Sequence, residues 1–131
     1  MAKIVVSDID FEDTDLEQEL VEGAGIEFAR FQDRTPEGII RNAAGAQGII
    51  TSYGDFTAEV FEALPDLRVV SRTGVGFDSI DIAAATEHGV AVCNVPGYGT
   101  EVVSDHAITL ALACLRRINE LDHDIKAGVW D

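Results

Sequence analysis

Apolar and polar positions alternate along this chain in blocks of two kinds. Short runs rich in β-branched residues fall at 3–8, 26–30, 47–52, 68–72 and 90–94, and these read as strands. Between them, 14–22, 36–44, 57–64 and 79–88 space their apolar residues as a helix does. The punctuation agrees. Asp13 or Thr14 stands where the first helix needs a cap, and Gly23 where it should stop. Pro36 falls in the first turn of the second helix, where the missing N–H costs nothing. Pro65 closes the third helix. Gly89 closes the fourth, leaving His88 at the negative end of the helix dipole.

Strands separated by helices of about ten residues form βαβ units and a parallel sheet. Five of them predict an α/β, flavodoxin-like, doubly wound sheet of order 2-1-3-4-5 with helices on both faces. The pattern then changes. From 100 to 127 it reads as one long helix, roughly 40 Å from end to end, with Thr100 as its N-cap. Residues 107–115 are apolar almost all round and should be buried on more than one side. A five-stranded domain cannot cover all of that helix. The expected organisation is therefore a sheet domain over 1–99 and a helix over 100–131 that packs on another domain or a second copy, as a homo-dimer or a helix-exchanged oligomer.

A chain of 131 residues fits one compact domain. No apolar run reaches the ~18 residues of a membrane helix. The opening Met1-Ala2-Lys3-Ile4-Val5-Val6 reads as a strand rather than a secretion signal, so a cytoplasmic location is expected. Charge alters the picture more. There are 24 acids against 9 bases, a net charge of -15, spread along the whole chain. This resembles the acidic, hydrated surfaces of halophilic proteins, which repel themselves at low salt and are screened at high salt. A nucleic-acid phosphate backbone is an unfit partner for it. Cys93 and Cys114 lie among apolar residues without metal-ligand spacing and read as small core residues. The three histidines are not clustered, so no metal site is expected.

In an open parallel sheet, ligands bind at the carboxyl ends of the strands. The richest turn there is Arg72-Thr73-Gly74-Val75-Gly76. Its glycines let backbone N–H groups approach a ligand and form a nest for an anion. Arg72 adds a fork of donors suited to a carboxylate. A tight turn with no ligand explains the same glycines equally well. Tyr53, after the third strand, is a further candidate by position alone. Two stretches imitate a dinucleotide loop. Gly74-Val75-Gly76-Phe77-Asp78-Ser79 has Ser79 in place of the third glycine, and Gly97-Tyr98-Gly99-Thr100-Glu101-Val102 has the bulky Val102. A phosphoacceptor receiver domain shares the fold, and Asp8 and Asp10 would be its acidic pair. Ser52 and Tyr53, however, stand where its acceptor aspartate belongs, and Val95 where its lysine does.

From Arg68 onward the sequence carries G-V-G-F-D-x-I-D, then A-x-x-x-G-V-A-V-x-N-V-P, then an apolar helix ending in Leu115-Arg116-Arg117, and finally K-x-G-x-W. In order and spacing this resembles the D-isomer-specific 2-hydroxyacid dehydrogenases; residues 1–67 fit in layout only. The resemblance implies an NAD-dependent enzyme, NADP being an alternative, that moves a hydride between nicotinamide and a 2-hydroxy or 2-keto acid. It implies that the N–H groups of Val75 and Gly76 hold the substrate carboxylate, with Arg72 assisting and Tyr98 nearby. Val75 and Val103 match positions that touch the cofactor. Asp105 and His106 are read as structural. The arginine, histidine and acid that do the chemistry, and the loop that binds most of the cofactor, belong to a later part of such enzymes. Residues 1–99 are then the substrate-binding domain, 100–131 the helix that crosses to a nucleotide-binding domain, and no catalytic residue is expected in this chain. The competing expectation is a non-enzymatic interaction or regulatory module that uses the exposed helix.

Overall fold

A computed structural model describes residues 2–130. Its first unit, ending at Pro96, alternates strand and helix: β1 (Lys3–Asp8), α1 (Asp15–Gly23), β2 (Glu27–Arg30), α2 (Pro36–Asn42), β3 (Gly48–Thr51), α3 (Ala58–Ala63), β4 (Val69–Arg72), α4 (Ile82–Glu87) and β5 (Ala91–Cys93). All pairings are parallel and the strand order is β2-β1-β3-β4-β5, as the periodicity predicts.

The sheet's register carries one apolar row through its middle. Ile49 lies opposite Val5 and Val70, and Val70 opposite Val92. Val5, Ile49 and Val70 are buried with Ile39 of α2, Val60 and Phe61 of α3, and Phe56 before α3. Each such side chain contributes roughly 1.5–3 kcal/mol on leaving water. This core fixes the central strands β1, β3 and β4, and so fixes the turns at their carboxyl ends. The register between β1 and β3 shifts after Val6, so that Asp8, not Ser7, meets Thr51.

Most predicted boundaries move by one to three residues. The largest difference has a clear cause: α4 begins at Ile82 rather than at 79. Residues 79–81 instead bracket Phe56, whose N–H donates to the Ser79 carbonyl (2.8 Å) and whose carbonyl accepts from Asp81 N–H (2.9 Å). The Asp81 carboxylate then caps the helix by accepting from Ala84 N–H at 3.0 Å.

The second unit, from Gly97 on, corrects the expected single helix. It is two helices, α5 (Thr100–Leu115) and α6 (Ile118–Lys126). Arg117 separates them in the left-handed region, at φ 51° and ψ 37°. A non-glycine residue there costs roughly 1–2 kcal/mol, and the Arg117–Glu120 ion pair holds the new start. Gly99, not Thr100, occupies the N-cap position. The apolar stretch 107–115 is not buried: Ile108, Leu110, Leu112 and Leu115 are exposed. Nor are the cysteines core residues. Cys93 lies on the edge strand β5 and Cys114 on α5, and both are exposed. Among the described residues, no helix is long and apolar enough to cross a membrane.

Candidate functional site

The carboxyl ends of β1, β3 and β4 converge on a polar cluster built around Asp8. Its side chain is fully buried. A buried carboxylate must be matched by donors, and here they come from the turn after β3. Thr51 donates its hydroxyl at 2.6 Å, Tyr53 its N–H at 2.8 Å, Gly54 its N–H at 3.1 Å and Ser52 its N–H at 3.3 Å. Arg34, in the loop after β2, reaches the same carboxylate with Nε at 3.3 Å. Gly54 is required by the closeness of this packing, since a Cβ there would stand 2.6 Å from Thr51 Oγ1.

So held, Tyr53 projects outward. Its hydroxyl donates to Asp10 at 2.9 Å. That hydrogen bond, and the negative charge of Asp10, push the Tyr53 hydroxyl above the ordinary tyrosine value. Its ring is flanked by two guanidinium groups. The Arg34 carbon lies 4.6 Å from the ring centroid and the Arg72 carbon 5.8 Å. Arg72, the last residue of β4, is aimed by its Nε, which donates to the Ser52 carbonyl at 3.1 Å. Ser52 and Thr73 share a hydroxyl contact of 2.7 Å.

The turn after β4 is held by its flanks. Thr73 N–H donates to Thr51, and the Gly74 and Val75 carbonyls accept from Val95 N–H (3.0 Å) and the Asn94 amide (2.6 Å). Among the described residues, nothing accepts from the N–H groups of Gly74, Val75 or Gly76. Gly74 leaves room for the Arg72 fork; a Cβ there would lie 2.3 Å from Nη1. The arrangement offers a short row of backbone donors beside a guanidinium, which is the chemistry of a carboxylate cradle.

Of the residues singled out in the sequence, Tyr53 and Arg72 are brought together, and Arg72 also borders the Val75-Gly76 turn. Tyr98 and Val103 belong to the second unit, where both are exposed. Sequence reasoning saw Asp8 and Asp10 as an acidic pair but missed Asp8 as an anchor and Asp10 as the partner of Tyr53, and it missed Arg34 altogether. An aspartate closing an apolar strand was the one visible signal for Asp8.

A dinucleotide pyrophosphate does not fit the described helix starts. At α4 the Asp81 carboxylate already accepts from Ala84 N–H and puts a negative charge at the helix start. At α5 the first turn carries Glu101, a like charge to phosphate.

Fold and site together define a doubly wound α/β domain with a turn at the carboxyl edge of its sheet whose backbone N–H groups have no acceptor among the described residues. The family described as D-isomer specific 2-hydroxyacid dehydrogenase, catalytic domain, matches residues 4–123, and the chain belongs to it. It is 38% identical over 108 residues to a D-3-phosphoglycerate dehydrogenase of Archaeoglobus fulgidus, an alignment covering 82% of this chain and 20% of that protein. It is 40% identical over 93 residues to a glyoxylate reductase of Korarchaeum cryptofilum, covering 70% of this chain and 28% of that one. Among solved structures, an NAD-dependent formate dehydrogenase of Staphylococcus aureus in complex with NAD superposes with a TM-score of 0.78 at 26% identity, over 100% of this chain and 43% of that one. The chain thus spans well under half the length of the relatives it matches.

Proposed function

We propose that this chain is the substrate-holding part of an NAD-dependent D-2-hydroxyacid dehydrogenase. The observation that carries the reading is the turn after β4, with its unengaged N–H groups beside Arg72. In this reading Val75 and Gly76 N–H bind the substrate carboxylate and Arg72 adds a charged donor. Tyr53 and Tyr98 border the rest of the substrate, and the side chains of Val75 and Val103 meet the nicotinamide end of the cofactor. When bound, that cofactor supplies or accepts the hydride. The described helix starts do not fit its pyrophosphate, so its binding falls mainly to residues outside this chain, as do the catalytic arginine, histidine and acid. Residues 1–99 form the substrate domain, and 100–131 lead to the nucleotide domain.

Self-association through the second unit is part of the proposal, and Val102, Val103, Leu112 and Leu115, all exposed, support it. So are a cytoplasmic setting, favoured by two free thiols, and a saline one, favoured by the net charge of -15.

The experiment is a titration of the isotope-labelled chain with D-lactate. Amide shifts centred on Gly74, Val75 and Gly76 are expected. Micromolar NADH should leave the fluorescence of Trp130 unchanged. Shifts confined to other turns, or none, would sink the assignment.

A further inference from the structure

Arg34 lies outside every motif that identifies the family, yet the structure builds it into the site from three directions. Its carbonyl accepts from Asp55 N–H at 2.9 Å, which ties its backbone to the turn after β3. Its Nε pairs with the buried Asp8. Its guanidinium covers one side of the Tyr53 ring. Arg72 repeats the device: Nε is spent on the Ser52 carbonyl, and the group again approaches the Tyr53 ring. In both residues the terminal nitrogens donate no hydrogen bond to any described residue. The Arg34 side chain is half exposed, at 51%.

Two guanidinium groups brought to one tyrosine ring repel each other. The chain has only 9 bases against 24 acids, so their meeting here is against the composition. Asp8 pairs with Arg34 through Nε at 3.3 Å while its oxygens also take four donors of the 51–54 segment, which leaves the terminal nitrogens of Arg34 available. Each Arg thus presents a planar pair of donors, a geometry that matches the two oxygens of a carboxylate or phosphate. Asp10 lies at the same rim, on the Tyr53 hydroxyl, and opposes an incoming anion.

We infer that Arg34, together with Arg72 across the Tyr53 ring, binds a second anionic group on the substrate, a carboxylate or phosphate distal to the 2-hydroxy acid. The inference rests on the proposed function, in which the first carboxylate occupies the turn at Val75-Gly76. Arg34 thereby sets specificity toward dianionic over small monoanionic substrates.

The test compares D-lactate, D-malate and D-3-phosphoglycerate on the labelled full chain at constant ionic strength, reading affinities from amide shifts. D-malate and D-3-phosphoglycerate should each bind about tenfold tighter than D-lactate, the factor one charge-assisted hydrogen bond supplies. Which of the two binds tighter tells carboxylate from phosphate. In Arg34→Gln that ratio should fall to near one, while Arg34→Lys, which keeps the charge but loses the fork, should retain part of it. Asp10→Asn should raise it. A ratio near one in the unaltered chain, or one that survives Arg34→Gln, overturns the inference alone, provided the 74–76 shifts are intact. Should Arg34→Gln not fold, a ratio unchanged in both Arg34→Lys and Asp10→Asn overturns it equally. Absence of the 74–76 shifts with all three acids overturns the proposed function and the inference with it.

Discussion

Asp8 is fully buried, with Thr51, Ser52, Tyr53 and Gly54 all donating to it. Truncating it removes the acceptor and leaves those donors facing a void. Each buried donor left unpaired costs about 1–3 kcal/mol. Asp8→Ala should therefore lose roughly 3–5 kcal/mol of stability, a large share of the ~5–15 kcal/mol typical of a domain. Urea denaturation measures it, and a loss below about 1 kcal/mol would mean that the turn holds without the acid. Tyr53 gives a prediction in pH. Its hydroxyl titrates above the ordinary tyrosine value because it donates to Asp10. The bond favours the protonated form, so its contribution is complete below the ordinary tyrosine value and disappears as pH rises through the raised one. Ultraviolet titration should show Tyr53 ionising later than free tyrosine, and Asp10→Asn should bring it back down. Asp33 runs the other way. Hydrogen bonds from Thr35 hold it below the usual carboxylate range, and what it contributes is present above that range and lost as pH falls through the lowered value. None of this was legible in the sequence. Asp8 and Asp10 were visible only as an acidic pair for a different chemistry, and Arg34 carried no signal, because its role depends on a loop meeting a turn from another strand.

Strand and helix order was legible almost completely, because five β-branched runs alternate with helical segments, three of them stopped at Gly23, Pro65 and Gly89. Where elements differ, a side chain had decided. The helix α2 is capped by Thr35, whose hydroxyl accepts from Gly38 N–H at 3.1 Å. Thr57 occupies the same position on α3, but its hydroxyl is buried with no hydrogen-bond partner among the described residues. Two threonines with one nominal role should then respond unequally. Thr35→Ala should cost about 1 kcal/mol, and Thr57→Ala markedly less, as thermal unfolding of the two variants would show. Equal losses would mean that the Thr57 hydroxyl does cap its helix. The break between α5 and α6 was illegible for a related reason. Neither Arg116 nor Arg117 is a helix breaker, so a reading by periodicity runs straight through both. The apolar surface of α5 was read correctly as too large for the sheet domain. Ile108, Leu110, Leu112 and Leu115 stand exposed in this chain, the surface for which the sequence predicts a neighbour.

At the scale of the molecule, 24 acids on a 131-residue chain make self-repulsion a standing opponent of folding. Ion pairs between Lys126 and Asp122, and between Arg41 and Asp33, are exposed and offset little of it. Salt shortens the reach of the repulsion from about 10 Å at 0.1 M to about 3 Å at 1 M. The melting temperature should rise steadily with potassium chloride over that interval. A flat or falling curve would count against the saline reading. The site has a bearing on the chain's synthesis as well. Asp8 and the turn it holds are 44 to 46 residues apart. At about 5–20 residues per second, the ribosome delivers the acid roughly 2–9 seconds before its donors. Through that interval strand β1 exists with its carboxylate in water and nothing to draw it inward. The polar cluster around Asp8 therefore cannot mature locally. It is assembled only when β3 docks beside β1, so the turn that carries Tyr53 takes its final form only after that long-range pairing.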